Sequence, residues 1–559
     1  MQPRPRGGRT ASVITPLSTA HLARRIFQQK YSLQLAPGVI EWLESFVANF
    51  EMEDDEEQIV STFEHLVRGC IGSGSGLGNK ITVPLLEETY EKLLVAADPD
   101  SNGAGGDGGA GDDLDASQYF KIIDSFDLPA WRWDDVRGGF EKPKDAPSIA
   151  PGPLSKSRYL RDRFNIIKQV ILRNEHFCPP TVVDAARSDY MKLTTIKNLL
   201  GRQGGHFLLF GLLTRMEDNE FYLEDLDDKV KLDLSEATPE SGLFTEGSFV
   251  LVDGDFGYDS VFKVAEIGHP PSERRDEAMK IHGHHDFLGV GVVSAAEEAD
   301  LIAAEQSPHH ETSFILLSDL HLDNPRVMTA LGEVLSAYND MDEKSVPKLF
   351  VLCGNFRNLF ASLAGLLASF ETLLACSHFL LVPGPTDPWS SAALPRPPLP
   401  TALLKPLLSK VPNVTLGSNP CRIRWFSQEI VIFRDDLMGR MMRNAVRFPA
   451  EEGGGTGGRK GDLRKALVQT VLDQAHLAPL PISVRPVLWD YDHALRLYPM
   501  PTTLVLADSF EPYKLVYERC LVFNPGSFHR KRFGWSTYHP HMVEIRDRME
   551  ESELPGVDD

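Results

Sequence analysis

Residues 313–389 carry the pattern that most restricts what this chain can fold into. An apolar run, Phe314-Ile315-Leu316-Leu317, ends in Ser318-Asp319-Leu320-His321. An apolar run followed at once by Asp-x-His reads as a buried strand that delivers two ligand-type side chains to its C-terminal edge. A second run, Lys348-Leu349-Phe350-Val351-Leu352-Cys353, ends in Gly354-Asn355. After a helix-like segment a third, Phe379-Leu380-Leu381-Val382, ends in Pro383-Gly384-Pro385-Thr386-Asp387. Strand, turn, helix and strand at this spacing predict βαβ architecture, a parallel sheet with its site at the strand C-termini.

These residues resemble the calcineurin-like metallophosphoesterases. That family places Asp-x-His, Gly-Asp, Gly-Asn-His-Asp/Glu and Gly-His-x-His on successive strand ends. Together they hold two metal ions, which activate a water and neutralise phosphoryl oxygens. Here Asp319 and His321 are kept, but Asn355 stands where the resemblance puts a bridging carboxylate. Pro385 and Thr386 replace the Asn and His before Asp387, and Leu504-Val505-Leu506-Ala507-Asp508-Ser509-Phe510 fills the last motif's place without a histidine. The resemblance therefore implies a preserved scaffold with a dismantled metal site. Its vestigial positions are Asp319, His321, Asn355, Asp387 and Asp508.

An inactive phosphoesterase domain beside an oligonucleotide-binding (OB) fold resembles the B-subunits of eukaryotic replicative DNA polymerases. The wording of residues 316–323 and of 486–499 (Pro-Val-Leu-Trp-Asp-Tyr-Asp-His-Ala-Leu-Arg-Leu-Tyr-Pro) is most similar to the epsilon branch. The resemblance implies a multidomain α/β plus all-β chain: an N-terminal helical bundle like the lid of AAA+ ATPases, an OB barrel and a calcineurin-like α/β sandwich. It further implies a non-catalytic accessory subunit in the nucleus. Its partners would be the C-terminal region of the DNA polymerase epsilon catalytic subunit and the replicative helicase with its GINS complex. Small histone-fold subunits would be indirect partners, and direct DNA contact would be weak.

Length and composition agree with that outline. At 559 residues the chain is too long for one core. A net charge of −22 argues against a protein whose main task is gripping phosphate backbones, and fits docking on other proteins. The six cysteines (Cys70, Cys178, Cys353, Cys376, Cys421, Cys520) form no C-x-x-C, so they read as buried thiols in a reducing compartment. No stretch approaches the length of a membrane span, and no apolar signal core follows the basic N-terminus, so a soluble intracellular chain is expected.

Along the chain, four short amphipathic segments between Thr19 and Val95 predict the helical bundle, residues 1–98. Gly72-Ser73-Gly74-Ser75-Gly76-Leu77-Gly78 reads as a turn, because no strand precedes it and no Gly-Lys-Ser/Thr follows. The acidic run at 51–57 suits a solvated helix start. Residues 99–154 read as a flexible linker, Gly-, Asp- and Ala-rich at 98–113 and Pro-rich at 143–153, with Trp131 and Trp133 marking a docked piece. Residues 155–300 predict a helix followed by strands at 207–211, 221–225, 230–234 and 249–254, a small Greek-key barrel. Glu224, Asp225, Asp227 and Asp228 on those strands favour a protein-binding barrel over a single-strand DNA-binding one. Residues 301–559 make the phosphoesterase-like domain. Within it a Pro-broken helix pair is expected at 394–410, an exposed Gly-rich insertion at 451–461, a helix at 462–474, closing strands at 502–506, 514–517 and 520–523, and a disordered acidic tail at 550–559.

The site residues weigh against catalysis. A metal site needs three or four ligands, and here His321 is the only histidine that the motifs bring to it. No cofactor and no functional metal are expected, and Asp319 and His321 read as turn and hydrogen-bonding residues. His476, His493, His529, His539 and His541 read as structural histidines. Trp489 to His493 reads as packing at the domain edge, and Arg530-Lys531-Arg532 as a solvated turn, with nucleic-acid contact or a weak import signal as its alternatives. The competing functions are a degenerate but active phosphoesterase or nuclease, a B-subunit of another replicative polymerase, and a single-strand DNA-binding module. The ligand count favours the accessory subunit.

Overall fold

A computed structural model describes residues 116–178, 190–216, 219–307, 311–357, 359–388, 391–447, 462–530 and 532–554, with part of 19–90. The acidic run at 51–57, the Gly72–Gly78 turn, the Gly-rich stretch at 98–113 and the insertion at 451–461 lie outside the described residues. The chain forms two compact units, Met1–Asp112 and Asp113–Asp559.

In the first unit the described residues gather around one apolar core. The helix Val39–Asn49 (α1) buries Val39, Leu43, Phe46 and Val47, the i, i+4, i+7 stripe of an amphipathic helix. Leu22, Phe27, Phe63, Leu66 and Leu86 join it. Gln34–Leu35 pairs in parallel with Lys80–Ile81, and Phe27 meets Phe63 edge to face at 6.0 Å.

The second unit begins before the expected barrel. Phe120–Asp124 (β1) is a strand of a six-stranded sheet, and Arg132–Asp134 (β2) pairs with Gly139–Glu141 (β3) as a hairpin. Trp133 and Phe140 of that hairpin lie edge to face at 5.2 Å, and Trp133 N–H donates to Asp162 of the following helix. The docked piece expected at Trp131 and Trp133 within 99–154 extends further than those two residues mark: residues 116–153 belong to the second unit. What holds them is apolar burial at Ile123, Leu128 and Phe140, which the Gly- and Pro-rich flanks concealed.

Helix Leu154–Arg173 (α2) carries two apolar faces. Phe164, Ile167 and Ile171 pack on the barrel's Phe210 and Phe249, while Ile166 and Val170 pack with Phe140 and Tyr498. The barrel consists of His206–Arg215 (β4), Phe221–Glu224 (β5), Lys229–Asp233 (β6), Phe249–Phe256 (β7) and Val261–Gly268 (β8). Its pairing order β4–β5–β6–β8–β7–β4 closes on itself, which leaves it no free edge along this circuit. The closing strand β8 is absent from the sequence expectation; its period-two burial holds from Phe262 to Ala265 and breaks at Glu266. Gly254 sits at a bulge against β8, where a Cβ would lie 2.1 Å from the Lys263 carbonyl oxygen.

Two six-stranded sheets form the rest. The first runs Val414–Leu416 (β12), His378–Val382 (β11), Leu349–Gly354 (β10), Phe314–Leu320 (β9), Trp535–Tyr538 (β18), Met549–Ser552 (β19). The second runs Tyr513–Tyr517 (β16), Cys520–Asn524 (β17), Thr503–Ala507 (β15), Gln428–Arg434 (β14), Cys421–Trp425 (β13), β1. The apolar run of β9 is split by the period of two: Phe314 and Leu316 face the second sheet's Ile430, Ile432 and Val505, while Ile315 and Leu317 face helices Pro325–Asn339 (α3) and Phe360–Leu367 (α4). Outside the second sheet lie Leu437–Asn444 (α6) and Leu463–Asp473 (α7). A strand buried on both faces needs apolar residues throughout, hence the unbroken runs.

Two local expectations change. Only Thr401–Leu408 (α5) is helical within 394–410; Leu394 and Arg396 make isolated bridges to Val487 and Asn419 instead. The disorder expected from residue 550 does not hold for Glu550–Ser552, because β19 pairs with β18 and Met549 is fully buried.

Candidate functional site

The C-terminal ends of β9, β10, β11, β14 and β15 converge, and Asp319 lies at their meeting point. The β9–β10 ladder slips between Leu317 and Leu320, and Asp319 adopts a positive φ of 59°. This bulge re-aims the carboxylate into the gap between the sheets. Gly354 ends β10 because the chains crowd there: a Cβ would stand 2.0 Å from the Asp387 carboxylate.

Asp319 is almost fully buried and its carboxylate is surrounded by partners. Arg434 Nη2 donates to Oδ1 at 2.8 Å and Asn355 Nδ2 donates to the same oxygen at 2.7 Å. Ser527 Oγ donates to Oδ2 at 2.7 Å. His321 Nε2 stands 3.1 Å from Oδ1, and His529 Nδ1 stands 3.1 Å from Oδ2. Burial pushes the Asp319 carboxyl up, but Arg434, Ser527 and the two histidines outweigh it and hold the group down at about 2. Despite its own burial, Arg434 is pushed above the ordinary arginine range by Asp319 and Asp436.

The other vestigial positions have changed occupation. The Asn355 side chain accepts Thr386 N–H at 3.0 Å while donating to Asp319. The carboxylate of Asp387 accepts the amides of Gly384 at 2.7 Å and Arg357 at 3.2 Å. Asp508 accepts those of Met438 at 2.8 Å and Phe510 at 3.0 Å. Burial raises both carboxyls, Asp508 to about 6. Each of these two carboxylates serves backbone amides.

The donor set does not fit a two-metal centre. Such a centre needs a bridging carboxylate between the cations, and the bridging position holds a neutral amide already engaged at both ends. What converges instead is a trio, Asp319, His321 and His529, whose potential ligand atoms all lie within 4.8 Å of one another. This corrects the expectation that His321 is the site's only histidine: the two imidazoles face each other at 4.3 Å. His529 follows the turn after β17 and carries no motif spacing, so its place is set by the fold alone.

Sequence reading also missed Arg434 and Ser527. Arg434 is the charge that ends the apolar run Ile430-Val431-Ile432-Phe433, at the same sheet edge as Asp319. That position was the available signal. The remaining histidines lie elsewhere. His476 meets Asp492 at 3.1 Å, His493 lies 3.1 Å from the Asp490 and Leu128 carbonyl oxygens, and His541 lies 3.3 Å from the Thr312 carbonyl. The ring of His539 is 5.8 Å from that of His541.

Comparison with known proteins finds matches to both the barrel and much of the two-sheet body. The profile of a family described as the B-subunit of DNA polymerases alpha and epsilon matches residues 314–514. A second, described as the OB-fold domain of DNA polymerase epsilon subunit 2-like proteins, matches 153–271. The DNA polymerase epsilon B-subunit of Schizosaccharomyces pombe is 36% identical over 455 residues, covering 77% of this chain and 76% of that protein. The chain belongs to the family of DNA polymerase epsilon B-subunits. Its Arabidopsis thaliana relative, which bears the same name, is 36% identical over 441 residues, covering 76% of this chain and 82% of that protein. DNA polymerase epsilon subunit 2 of Homo sapiens is 34% identical over 450 residues, covering 77% and 83%. Within this member of the epsilon B-subunit family, the barrel is the OB fold, and Asp319 lies inside the region that the alpha/epsilon profile matches.

Proposed function

We propose that this chain is the non-catalytic accessory subunit of a nuclear DNA polymerase epsilon holoenzyme. The two sheets, with a dismantled calcineurin-like site between them, and the OB barrel act together as a platform for the C-terminal region of the catalytic subunit. The N-terminal unit contacts the replicative helicase and its GINS complex, and the small histone-fold subunits associate indirectly. The observation that carries the reading is family membership over most of the chain, joined to a strand-end site whose central carboxylate is neutralised by the protein's own arginine.

Two further features support a platform. The barrel is fixed to the two-sheet body by polar contacts: the buried His269 ring, stacked on Phe244 of the barrel core at 4.4 Å, lies 3.1 Å from Gln474 Nε2 of the body, and Gln474 Oε1 accepts Phe249 N–H at 2.7 Å. The aromatics Phe210 and Phe249 are covered by α2 rather than left open as stacking surfaces for bases. Asp225 accepts the amides of Asp227 and Asp228, and acidic groups crowd the same barrel end, which favours a protein partner over a DNA strand.

The test is copurification of the tagged protein from the cells that make it. Stoichiometric recovery of a DNA polymerase epsilon catalytic subunit is expected, and the isolated chain should hydrolyse neither phosphomonoesters nor DNA with added Mn²⁺. Recovery without any polymerase subunit, or Mn²⁺-dependent hydrolysis abolished by Asp319→Ala, would refute the reading.

A further inference from the structure

Counting lost ligands explains why two metals cannot be held, but it leaves a puzzle. Asp319, His321 and His529 still converge closely enough for one ion. Two imidazoles and a carboxylate are a common ligand set for a single transition metal. What separates this cluster from such a centre is the position of Arg434.

The guanidinium of Arg434 has no exposed surface and is spent on four partners from different parts of the fold. Nη2 donates to Asp319 on β9 at 2.8 Å, and Nε donates to the Gly354 carbonyl on β10 at 2.8 Å. Nη1 donates to the Ala507 carbonyl at the end of β15 at 3.2 Å and to Asp436 at 2.9 Å. Two of these acceptors belong to the first sheet and one to the second, so a single cation ties the C-terminal ends of both sheets together. Metals in a site of this architecture would perform that service with their charge. A planar fork of donors can do it with directed bonds.

Arg434 is also held in place from behind. Its amide donates to Asn419 Oδ1 at 3.1 Å, and its carbonyl accepts Arg396 Nη1 at 3.1 Å and Asn419 Nδ2 at 2.6 Å. The adjacent Asp435 is fully buried, with Arg396 Nη2 at 3.2 Å and Arg485 Nη2 at 2.8 Å. The next residue, Asp436, takes Nη1 of Arg434 itself and Ser509 N–H. Three consecutive charged residues are thus each paired, which fixes where the guanidinium points.

We propose that Arg434 is a built-in cation that replaces the metals of this site, clasps the two sheets at their C-terminal ends and keeps the Asp319–His321–His529 trio from taking up a divalent ion. The trio is then closed by an occupant rather than by a shortage of ligands. A metal approaching Asp319 Oδ1 would have to displace a guanidinium hydrogen bond and settle beside a fixed positive charge. The clasp also makes the fold of the second unit indifferent to chelators.

The experiment uses the full-length protein, Co²⁺ as a visible-absorption probe, and thermal melting. Wild type is expected to show no Co²⁺ d–d band and no change of Tm with Co²⁺ or EDTA. Arg434→Ala should melt several degrees lower, should take up one equivalent of Co²⁺ with a rise in Tm, and should lose that uptake when His529→Ala is added. A wild type that binds Co²⁺ as the variant does, an Arg434→Ala protein that melts like wild type, or one that folds yet binds no Co²⁺ would each overturn the proposal. A second pair guards against failure to fold. Arg434→Met leaves the buried Asp319 charge without its guanidinium partner, whereas Asp319→Asn with Arg434→Met removes both charges. The double variant should melt above the single one, and a double variant as unstable or as unfolded as the single would contradict the clasp.

Discussion

Asp319 and Asp473 are both buried carboxylates, and their surroundings drive them in opposite directions. Asp319 is held at about 2, below its ordinary 3.8, so its contribution is complete above about pH 4 and fades only as the pH falls towards 2. Asp473, at the end of α7, faces no cation; burial raises it to about 7, and Tyr517 donates to it at 2.9 Å without reversing that. Because the folded chain binds this proton more tightly than the unfolded one, its stabilisation is complete below about pH 4 and is lost as the pH rises through 7. Asp473→Asn should therefore be roughly 2–4 kcal/mol more stable than wild type at pH 8 and about equal to it at pH 4, read by urea denaturation at the two values. Equal stability at both would show that this carboxyl ionises normally. At this scale the sequence was half legible. Asp319 and His321 are marked by their motif, but Arg434, Ser527 and His529 are brought in by a second sheet and a late turn. No local spacing predicts them.

The elements divide in the same way. Runs buried on both faces, such as β9, β10 and β11, can be read directly because every position must be apolar. β1 could not be read. It is five residues long, it follows a Gly- and Asp-rich stretch, and its partner β13 lies nearly three hundred positions away, Cys421 Sγ contacting the Ile123 carbonyl across 298 residues of chain. What makes it a strand is the partner edge it covers. Phe120 reaches across to Phe314 at 6.5 Å, Trp425 at 5.9 Å and His378 at 5.9 Å. Phe120→Ala should cost about 2–3 kcal/mol of the second unit's stability, measured by denaturant unfolding of a chain that starts at residue 113. A chain that starts at residue 125 leaves the β13 edge unpaired and should show a stronger tendency to associate, read by sedimentation. If both shortened chains behave alike, β1 is not part of the second unit's core.

For the molecule as a whole, the proposed platform depends on barrel and two-sheet body acting as one compact unit, Asp113–Asp559, with α2 between them. The sequence marks the barrel and the two-sheet body as separate stretches, 155–300 and 301–559, and the structure packs both into this single unit. The helix has two apolar faces, and its sequence alone does not say that they belong to different neighbours. No helix among the described residues is long and apolar enough to cross a membrane. The proposed holoenzyme contact of this unit is tested by reconstituting fragments 1–112 and 113–559, each separately, with the C-terminal region of a DNA polymerase epsilon catalytic subunit, followed by size-exclusion chromatography. A stable one-to-one complex with 113–559, unchanged by EDTA, is expected, and none with 1–112. Capture by 1–112 alone, with 113–559 eluting free, would contradict it.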